Sequence, residues 1–437
     1  MSMSDVSDGP RRVAIACQGG GSHTAFTAGV LKRLLRRGAL DGHRVVGLSG
    51  TSGGAVCALL AWRALLDGGE RSGELAARLL DGFWRDNSAT DPVERLANLW
   101  SLASSGLENF VATPAVSPYD NYLAAFGARE FRRMLERRVD FGAVRVQPEG
   151  EEPALFVGAV DVISGEFRAF NSRRDRITPD TILASAAIPT IFRSVPIEGG
   201  LYWDGLFSQN PPVRELTDLG PDEIWVVQIN PRRYDHEPRT LAEIADRRNE
   251  LSGNLSLHQE LYFIEKIDRM LREGYLAPGE KYRQITVRVL ELSRSRFSRF
   301  LGTASKLNRD PDFIAALMEH GESRAEEFLD ALAFERAWLD RDADAVVDFF
   351  DEEAEIVASE AFPDRGRYRG KPEIGSFVRE HLCRDVRLDL TRKQVARDGV
   401  SWSVRSLSED GTSVRTEGVA RATLARRKIK SLSLDGG

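Results

Sequence analysis

Residues 13–24 read VAIACQGGGSHT, a short apolar run that ends in three glycines just before a helical pattern begins. Apolar residues three and four positions apart predict that helix between Phe26 and Leu35. Residues 45–66 repeat the order, with an apolar run, a tight turn at residues 49–54 and a helix that is apolar nearly all round. Two successive strand–turn–helix units predict an α/β fold with a mostly parallel sheet and helices on both faces. The functional loops of such a sheet lie at the carboxyl ends of its strands.

The pattern changes in the last quarter of the chain. Before that point, helices are predicted within residues 70–139 and a β-hairpin over residues 155–170. Beyond it, a helix, an acidic stretch and alternating strands predict a separate α+β domain of roughly a hundred residues. We therefore expect one domain over residues 1–320 and a second over residues 321–437.

Composition excludes several classes of protein. The 437 residues include 60 Lys and Arg against 66 Asp and Glu, a net charge of −6, which argues against a protein that coats nucleic acid. With 42% hydrophobic and 29% charged residues, the chain is neither disordered nor fibrous. Its apolar runs fall short of the ~20 residues needed to cross a bilayer. Residues 1–12 lack the apolar core of a secretory signal, so we expect a cytoplasmic location.

The three cysteines indicate packing rather than chemistry. Cys17, Cys57 and Cys383 are scattered and form no C-x-x-C pair. This usage suits a reducing compartment and predicts no metal site. We interpret all three as small apolar residues of the core.

The second turn carries a candidate nucleophile. Gly50-Thr51-Ser52-Gly53-Gly54 fits G-x-S-x-G, in which a serine lies on a tight turn between a strand and a helix, surrounded by small residues. At a helix N-terminus, free N–H groups and the positive end of the helix dipole stabilise negative charge on a substrate oxygen. Ser52 is therefore predicted to be a nucleophile.

A serine hydroxyl needs a base at neutral pH. Histidine is the usual choice, but five of the six histidines lie in polar or helical settings without a partner motif, and we interpret them as surface residues: His43, His236, His258, His320 and His381. The sixth, His23, lies in the first glycine loop. A carboxylate base is therefore the hypothesis to consider.

The first glycine loop has two interpretations. Residues 19–24 follow a strand and open a helix, as a pyrophosphate-binding loop does. The next strand, however, ends without an acidic residue to hold a ribose. We favour the other interpretation, in which backbone N–H groups of this loop face Ser52 across adjacent strand ends and form an oxyanion hole.

Three motifs occur in order along the chain: Gly19-Gly20-Gly21-Ser22-His23-Thr24, Gly50-Thr51-Ser52-Gly53-Gly54 and Asp204-Gly205. Together they resemble the patatin-like phospholipase family over residues 10–320, supported by the predicted hairpin and by the loop at residues 184–189. The resemblance implies a three-layer α/β/α hydrolase that needs no cofactor and no metal.

The resemblance also implies roles for particular residues. Ser52 corresponds to the nucleophile and Asp204 to its base, which together form a Ser-Asp dyad. The oxyanion hole corresponds to Gly19, Gly20, Gly21 and Gly53. Supporting positions are His23, Thr24, Gly50, Gly54 and Gly205. We further expect burial to raise the pKa of Asp204, because a carboxyl group with an ordinary pKa near ~3.9 is a weak base.

Three residues depart from the family pattern. His23 replaces the usual Arg or Lys of G-G-G-x-[RK]-G, Thr24 replaces its final glycine, and Leu206 replaces the third small residue of D-G-[GA]. Thr24 fits only if its position needs no positive φ, since β-branched residues avoid that conformation. For His23 two alternatives stay open: a partly cationic group that assists the oxyanion, or an inert loop residue.

The last part of the chain resembles a different family. Residues 342–350 and 366–374 are similar to the nuclear-transport-factor-2-like and ketosteroid-isomerase-like fold, a curved sheet with helices around a pocket. No catalytic residue of that family can be matched here. We expect this domain to serve in dimerisation or in lipid binding.

The leading functional hypothesis is a serine acyl hydrolase that cleaves phospholipid or other lipid esters through an acyl-enzyme. One alternative is a catalytically weak lipid-binding or scaffolding protein, and another is an esterase on a storage polyester or thioester. The expected partners are a lipid or acyl-ester substrate and a second copy, but no nucleic acid. We interpret the basic segment at residues 294–309 as a solvated loop, with contact to an anionic membrane surface as its alternative.

Overall fold

The computed structural model describes most of the chain, in two compact units. One unit comprises Met1–Arg283 and Leu292–Ser323, and the other comprises Gln284–Glu291 and Arg324–Gly437. The described residues are 9–91, 94–96, 98, 117–148, 150–189, 191–232, 234, 236–279, 282–293, 297, 301–302, 304–359, 365–383, 386–396, 399–407, 414–425 and 428–436. The expectations for residues 1–8 and for part of the basic segment 294–309 therefore lie outside them.

The first unit is built on a mostly parallel sheet, as the sequence predicts. Its strands are β1 Arg11–Cys17, β2 His43–Thr51, β3 Ala154–Asp161, β4 Phe167–Asn171, β5 Val195–Ile197, β6 Gly200–Asp204 and β7 Glu223–Gln228. Strands β7, β1, β2 and β3 are adjacent in that order and parallel. Strand β3 also pairs antiparallel with β4, which is the predicted hairpin, and with β6, which in turn pairs with β5.

The helices of this unit are α1 Ala25–Leu34, α2 Gly53–Asp67, α3 Ser72–Asn87, α4 Tyr122–Glu136, α5 Pro179–Ser185, α6 Arg214–Thr217 and α7 Leu241–Arg272. Helix α2 is buried from Gly54 to Trp62, as its nearly continuous apolar sequence predicts. Helix α1 is amphipathic, and Lys32 on its polar face forms ion pairs with Asp81 and Glu322. The core thus lies between the sheet and these helices.

The second unit is an α+β arrangement. Its strands are β8 Thr286–Glu291, β9 Phe350–Ala358, β10 Gly366–Arg369, β11 Val386–Ala396, β12 Gly399–Leu407, β13 Val414–Ala425 and β14 Lys428–Gly436. They form a sheet in the order β10-β9-β14-β13-β12-β11-β8. Its helices are the C-terminal part of α8 Pro311–Leu339, α9 Ala343–Asp348 and α10 Gly370–Phe377. The helix predicted over residues 325–339 is thus the end of a longer one.

A buried ion pair stabilises this second unit. Arg288 and Glu335 meet at 2.9 and 3.0 Å, with both side chains almost fully buried. Trp402 Nε1 donates a further hydrogen bond to Glu335 at 3.3 Å. Paired charges with several hydrogen bonds compensate for lost hydration, whereas removal of one partner would leave a buried charge alone.

One expectation about the histidines is wrong. His320 is buried rather than exposed, and its ring packs against Phe26 and Phe297 at centroid distances of 5.4 and 5.6 Å. Its helix, α8, packs into the first unit here, so a position that looks polar in sequence lies in the core. No helix in the described part of the chain is both long enough and apolar enough to cross a membrane.

Candidate active site

The register of the sheet brings the predicted site residues together. Cys17 at the end of β1 lies beside Gly50 of β2, Thr51 of β2 beside Gly158 of β3, and Ala159 of β3 beside Asp204 of β6. The two glycine turns and the aspartate therefore emerge at one edge of the sheet. This is the edge at which ligands bind in parallel α/β sheets.

Ser52 has an unusual backbone. Its φ of 55° and ψ of −129° lie in a region that non-glycine residues rarely adopt. The turn is also crowded, because a Cβ on Gly50 would lie 2.5 Å from Gly54 O, and one on Gly54 would overlap Cys17 O. The small residues of G-x-S-x-G are thus required for this close approach. Ser52 occupies the N-cap position of α2 without a capping hydrogen bond from its side chain.

Asp204 contacts the hydroxyl of Ser52. Its carboxylate accepts the backbone N–H of Leu206 at 2.8 Å, and a hydrogen-bonding interaction with the Ser52 hydroxyl lowers its pKa. Asp204 is 1% exposed and Ser52 8% exposed. Burial raises the pKa of Asp204 to about 7, although these hydrogen bonds and the charge of Lys306 partly oppose the change. The predicted direction of this pKa change is confirmed.

Residues from the loop at 184–189 hold both side chains in place. Ser185 Oγ accepts the Ser52 N–H at 3.0 Å and donates to Gly158 O at 2.6 Å. The N–H of Asp204 donates to Ala187 O at 3.0 Å. This loop supports the family resemblance in the sequence, but the role of Ser185 is visible only in the structure.

The first glycine loop lies directly against the second turn. Gly21 has a φ of 56°, which favours glycine. A Cβ on Gly53 would overlap Thr24 Oγ1, so the two turns are in contact. The structure corrects one expectation, because the N–H of Gly19 already donates to Asn210 Oδ1 at 2.7 Å. Among the described residues, no acceptor is found for the N–H of Gly20.

Gly21 and Gly53, unlike Gly19, lie at the first positions of helical turns. Gly21 opens a 3-10 turn over Gly21–Thr24, and Gly53 is the first residue of α2. The first N–H groups of a helix have no partner within the helix. Together with Gly20, these residues are the candidate donors of an oxyanion hole.

The three departures from the family pattern fit locally. Thr24 has a φ of −72°, in the helical region, and its Oγ1 donates to Gly21 O at 2.6 Å, so its β-branched side chain imposes no strain. His23 is buried and its Nε2 lies 2.8 Å from Ser305 Oγ, which anchors the loop. Leu206 fits because its side chain packs beside Gly253 of α7. Gly205 is required, since a Cβ there would lie 2.6 Å from Gly158 O.

Gln18 is a buried polar residue that the sequence analysis did not single out. Its Oε1 accepts the N–H groups of Ile229 and Asn230 at 2.8 and 2.9 Å, and its Nε2 donates to Asn254 Oδ1 at 2.9 Å. It thereby connects the start of the glycine loop to the end of β7 and to α7. In the sequence, a polar residue directly after an apolar strand could have indicated that Gln18 has buried hydrogen-bond partners.

Lys306 is the second residue that sequence reasoning missed. Its Nζ donates to Asn230 Oδ1 at 2.8 Å, and its positive charge acts on Asp204. Its carbonyl oxygen lies so close to Gly21 that a Cβ there would overlap it. Lys306 belongs to the basic segment that was interpreted as a solvated loop, but the 3-10 turn Ala304–Leu307 packs against the glycine loop instead.

This arrangement is suited to acyl transfer. A hydroxyl contacts a carboxylate whose pKa lies near neutrality, at a helix N-terminus that offers N–H donors. Within the described residues, no group of three or more His, Cys, Asp or Glu side chains is placed to hold a metal ion.

Part of the chain that carries this geometry is similar to a known family. A family model described as patatin-like phospholipase matches residues 15–217. No curated protein matches the chain. Similar solved structures include an NTF2-like protein of unknown function from Mesorhizobium loti, with 20% identity and a TM-score of 0.23 over 25% of this chain and 90% of that chain. An NTF2-like protein from Cytophaga hutchinsonii has 12% identity and a TM-score of 0.21 over 25% of this chain and 89% of that chain.

The matched residues include Ser52, Asp204 and both glycine turns. They also include Ser185, which holds Ser52, and Asn210, which holds Gly19. The chain therefore carries, over residues 15–217, a domain of the patatin-like phospholipase family.

Proposed function

We propose that the protein is a serine acyl hydrolase that cleaves lipid esters with Ser52 and Asp204. The observation that carries the proposal is that the Ser52 hydroxyl and the Asp204 carboxylate are both buried and close enough for the hydroxyl to lower the pKa of the carboxyl group. Membership of the patatin-like phospholipase family supports lipid acyl hydrolysis in general. The Ser-Asp dyad and the ester substrate are specific proposals beyond this general activity.

The reaction begins when Ser52 Oγ attacks the acyl carbonyl carbon and Asp204 accepts the hydroxyl proton. The N–H groups of Gly20, Gly21 and Gly53 stabilise the resulting oxyanion. As the C–O bond to the alcohol breaks, Asp204 returns the proton to the leaving oxygen, and an acyl ester of Ser52 forms. Water then attacks the carbonyl carbon of this ester as Asp204 takes its proton, the C–O bond to Ser52 breaks, and Asp204 returns the proton to Ser52 Oγ, which releases the carboxylic acid and restores the hydroxyl. A base with a pKa near 7 is well matched to neutral pH.

The alternative of a catalytically weak binding protein rested on strain at Thr24. The helical φ of Thr24 and its hydrogen bond to Gly21 remove that reason. A polyester or thioester substrate would use the same dyad, since the dyad determines acyl transfer and not the leaving group.

An alkyl fluorophosphonate tests whether Ser52 is an activated nucleophile. We expect the reagent to label Ser52 in the folded protein, as located by mass spectrometry of the adduct. Ser52→Ala should lose the label, whereas Ser164→Ala, which changes an exposed serine of the β3–β4 turn, should keep it. Folded wild-type protein without an adduct would contradict the hydrolase proposal and favour the binding protein. Labelled protein should then be offered phospholipid, thioester and polyester substrates in parallel.

The charge of Lys306 should shift the pH dependence of this labelling, which burial of Asp204 dominates. Only ionised Asp204 can accept the proton, so the labelling rate should rise with pH through about 7. Lys306 lowers the pKa of Asp204, and Lys306→Met should therefore move the half-maximal pH upward. Lys306→Arg keeps the charge and should leave the midpoint close to wild type. A midpoint that stays in place in Lys306→Met would show that this charge does not act on Asp204.

A further inference from the structure

Helix α7 exposes a continuous stripe of side chains along its length. Its members follow one another three or four positions apart: Ile244, Arg248, Leu251, Leu255, Gln259, Tyr262, Lys266 and Arg269. The apolar members are 48–60% exposed, and Phe263 beside them is 59% exposed. Between Ile244 and Arg269 the stripe is about 38 Å long at the rise of an α-helix. Single exposed apolar residues are normal, but a contiguous apolar patch marks an interaction surface.

The opposite face of α7 supports the candidate active site. Leu257 and Ile264 are buried on that face. Gly253 lies beside Leu206, two residues after Asp204, and its carbonyl accepts hydrogen bonds from Gln18 and Asn210. One helix thus supports the site on its inner face and presents apolar side chains to solvent on its outer face.

The charges of α7 are divided between its two faces. The charged residues on the exposed side are all basic: Arg248, Lys266, Arg269 and Arg272. Most acidic residues are buried or half-buried: Asp246, Glu250, Glu260, Glu265 and Asp268. The carboxylates of Glu243, in the first turn, and of Glu273, just after the last, reach solvent. Glu260, for example, accepts the backbone N–H groups of Val213 and Arg214 at 2.8 Å. Between Arg248 and Arg269 the outer face is therefore apolar and positively charged.

A groove runs along the same face. It has a volume of about 730 Å³ and is lined by Arg232 and by residues of the stripe, including Leu251, Leu255 and Tyr262. His258 also lines it, and its Nε2 has no hydrogen-bond partner among the described residues. Apolar walls beside basic groups fit the boundary between acyl chains and phosphate headgroups.

We propose that the outer face of α7 docks the protein onto an anionic lipid surface. Each exposed Lys or Arg attracts the headgroups of such a surface, and the apolar side chains enter the acyl region. This inference rests on the proposed function in that the same lipid surface would supply the substrate. It also places a membrane contact on α7, whereas the sequence analysis considered one only as the alternative for residues 294–309.

A second copy of the chain is a less suitable occupant of this face. In a parallel pair of α7 helices Arg248 would face Arg248, and in an antiparallel pair it would lie near Lys266. The acidic groups that reach solvent near this face, Glu243 in the first turn and Glu273 just after the last, lie outside the segment between Arg248 and Lys266. Like charges placed together oppose association.

Vesicle co-sedimentation tests the proposal. We expect the protein to bind vesicles of phosphatidylcholine mixed equally with phosphatidylglycerol more tightly than phosphatidylcholine alone, and added salt to weaken this binding. The double variant Leu255→Ser, Tyr262→Ser should weaken binding by roughly a hundredfold, about tenfold for each large side chain kept out of the lipid. Lys266→Gln with Arg269→Gln should weaken it by roughly tenfold or more, and only on the anionic vesicles.

Matched controls change the same residue types elsewhere. Ile163→Ser with Phe167→Ser removes two exposed apolar side chains of the β3–β4 hairpin, and Arg336→Gln with Arg421→Gln removes two exposed charges. Both control proteins should bind as the wild type does. Binding of the α7 variants at the wild-type level, or no binding by the wild type, would overturn the proposal.

Two further readouts separate the other outcomes. If the α7 apolar variant loses self-association in analytical ultracentrifugation while its vesicle binding is unchanged, the face binds a second copy and the proposal is wrong. For every protein, fluorophosphonate labelling of Ser52 is also measured in solution without vesicles, so that it does not depend on membrane binding. Labelled Ser52 with no vesicle binding overturns the docking surface alone, whereas unlabelled Ser52 overturns the proposed function.

Discussion

Replacement of Asp204 with asparagine is expected to lower the rate of ester hydrolysis by roughly 10²–10⁴-fold, the usual contribution of a positioned general base. The carboxamide has nearly the same shape as the carboxyl group. Its oxygen can still accept the N–H of Leu206, but it cannot take the proton of the Ser52 hydroxyl. Steady-state hydrolysis of a water-soluble acyl ester measures the effect, and circular dichroism checks that the fold is kept.

The combination with Ser52→Ala shows whether the two residues act as a unit. Ser52→Ala alone should lower the rate at least as much, and the double variant should be no slower than the slower single variant. Ser185→Ala is a useful comparison, because it removes the acceptor of the Ser52 N–H but leaves the dyad chemistry in place. Full activity of Asp204→Asn would show that another group is the base. Effects that multiply in the double variant would show that the two residues act separately.

The fold of the first unit could be predicted because its strands and helices follow from patterns among residues that are close in sequence. The apolar runs before the glycine turns indicate buried strands, and the periodicity after them indicates helices. Ser52 could be identified for the same reason, since its glycine neighbours lie within two positions of it in sequence. Burial of Asp204 could be expected from its role in the resemblance, and its pKa near 7 agrees with that expectation.

The residues that sequence analysis missed act through contacts between distant positions. Ser185 lies 133 residues from Ser52, and Lys306 lies 76 residues from Asn230. Nothing in the sequence near Lys306 distinguishes it from the arginines around it, so its segment looked like a solvated loop. His320 was misplaced because exposure depends on which helix face packs inward. The stripe on α7 escaped notice for the same reason, since its exposure is a property of the packed molecule.

Asp204→Asn is also expected to make the protein more stable above neutral pH. The folded state raises the pKa of Asp204 from its ordinary value of 3.8 to about 7, so the folded protein binds the proton more tightly than the unfolded chain does. Folding is therefore penalised increasingly as the pH rises from about 4, and the full penalty is reached above about 7. A difference of this size corresponds to roughly 4 kcal/mol for a fully buried group. Asparagine does not titrate and avoids this penalty.

Urea titrations of both proteins at several pH values measure the free energy of unfolding. The advantage of Asp204→Asn should approach several kcal/mol at about pH 8 and shrink as the pH falls toward about 4, where the wild-type carboxyl group is protonated in both states. Asp175→Asn is the matched control, because Asp175 is a less buried carboxylate that pairs with Arg168. That variant should be less stable than the wild type at neutral pH. A stability difference for Asp204→Asn that is independent of pH would mean that the carboxyl group is not held near neutrality. Loss of hydrolysis together with a pH-dependent gain in stability identifies a group that is kept in an unfavourable environment for the sake of catalysis, because damage to the fold would lower both quantities.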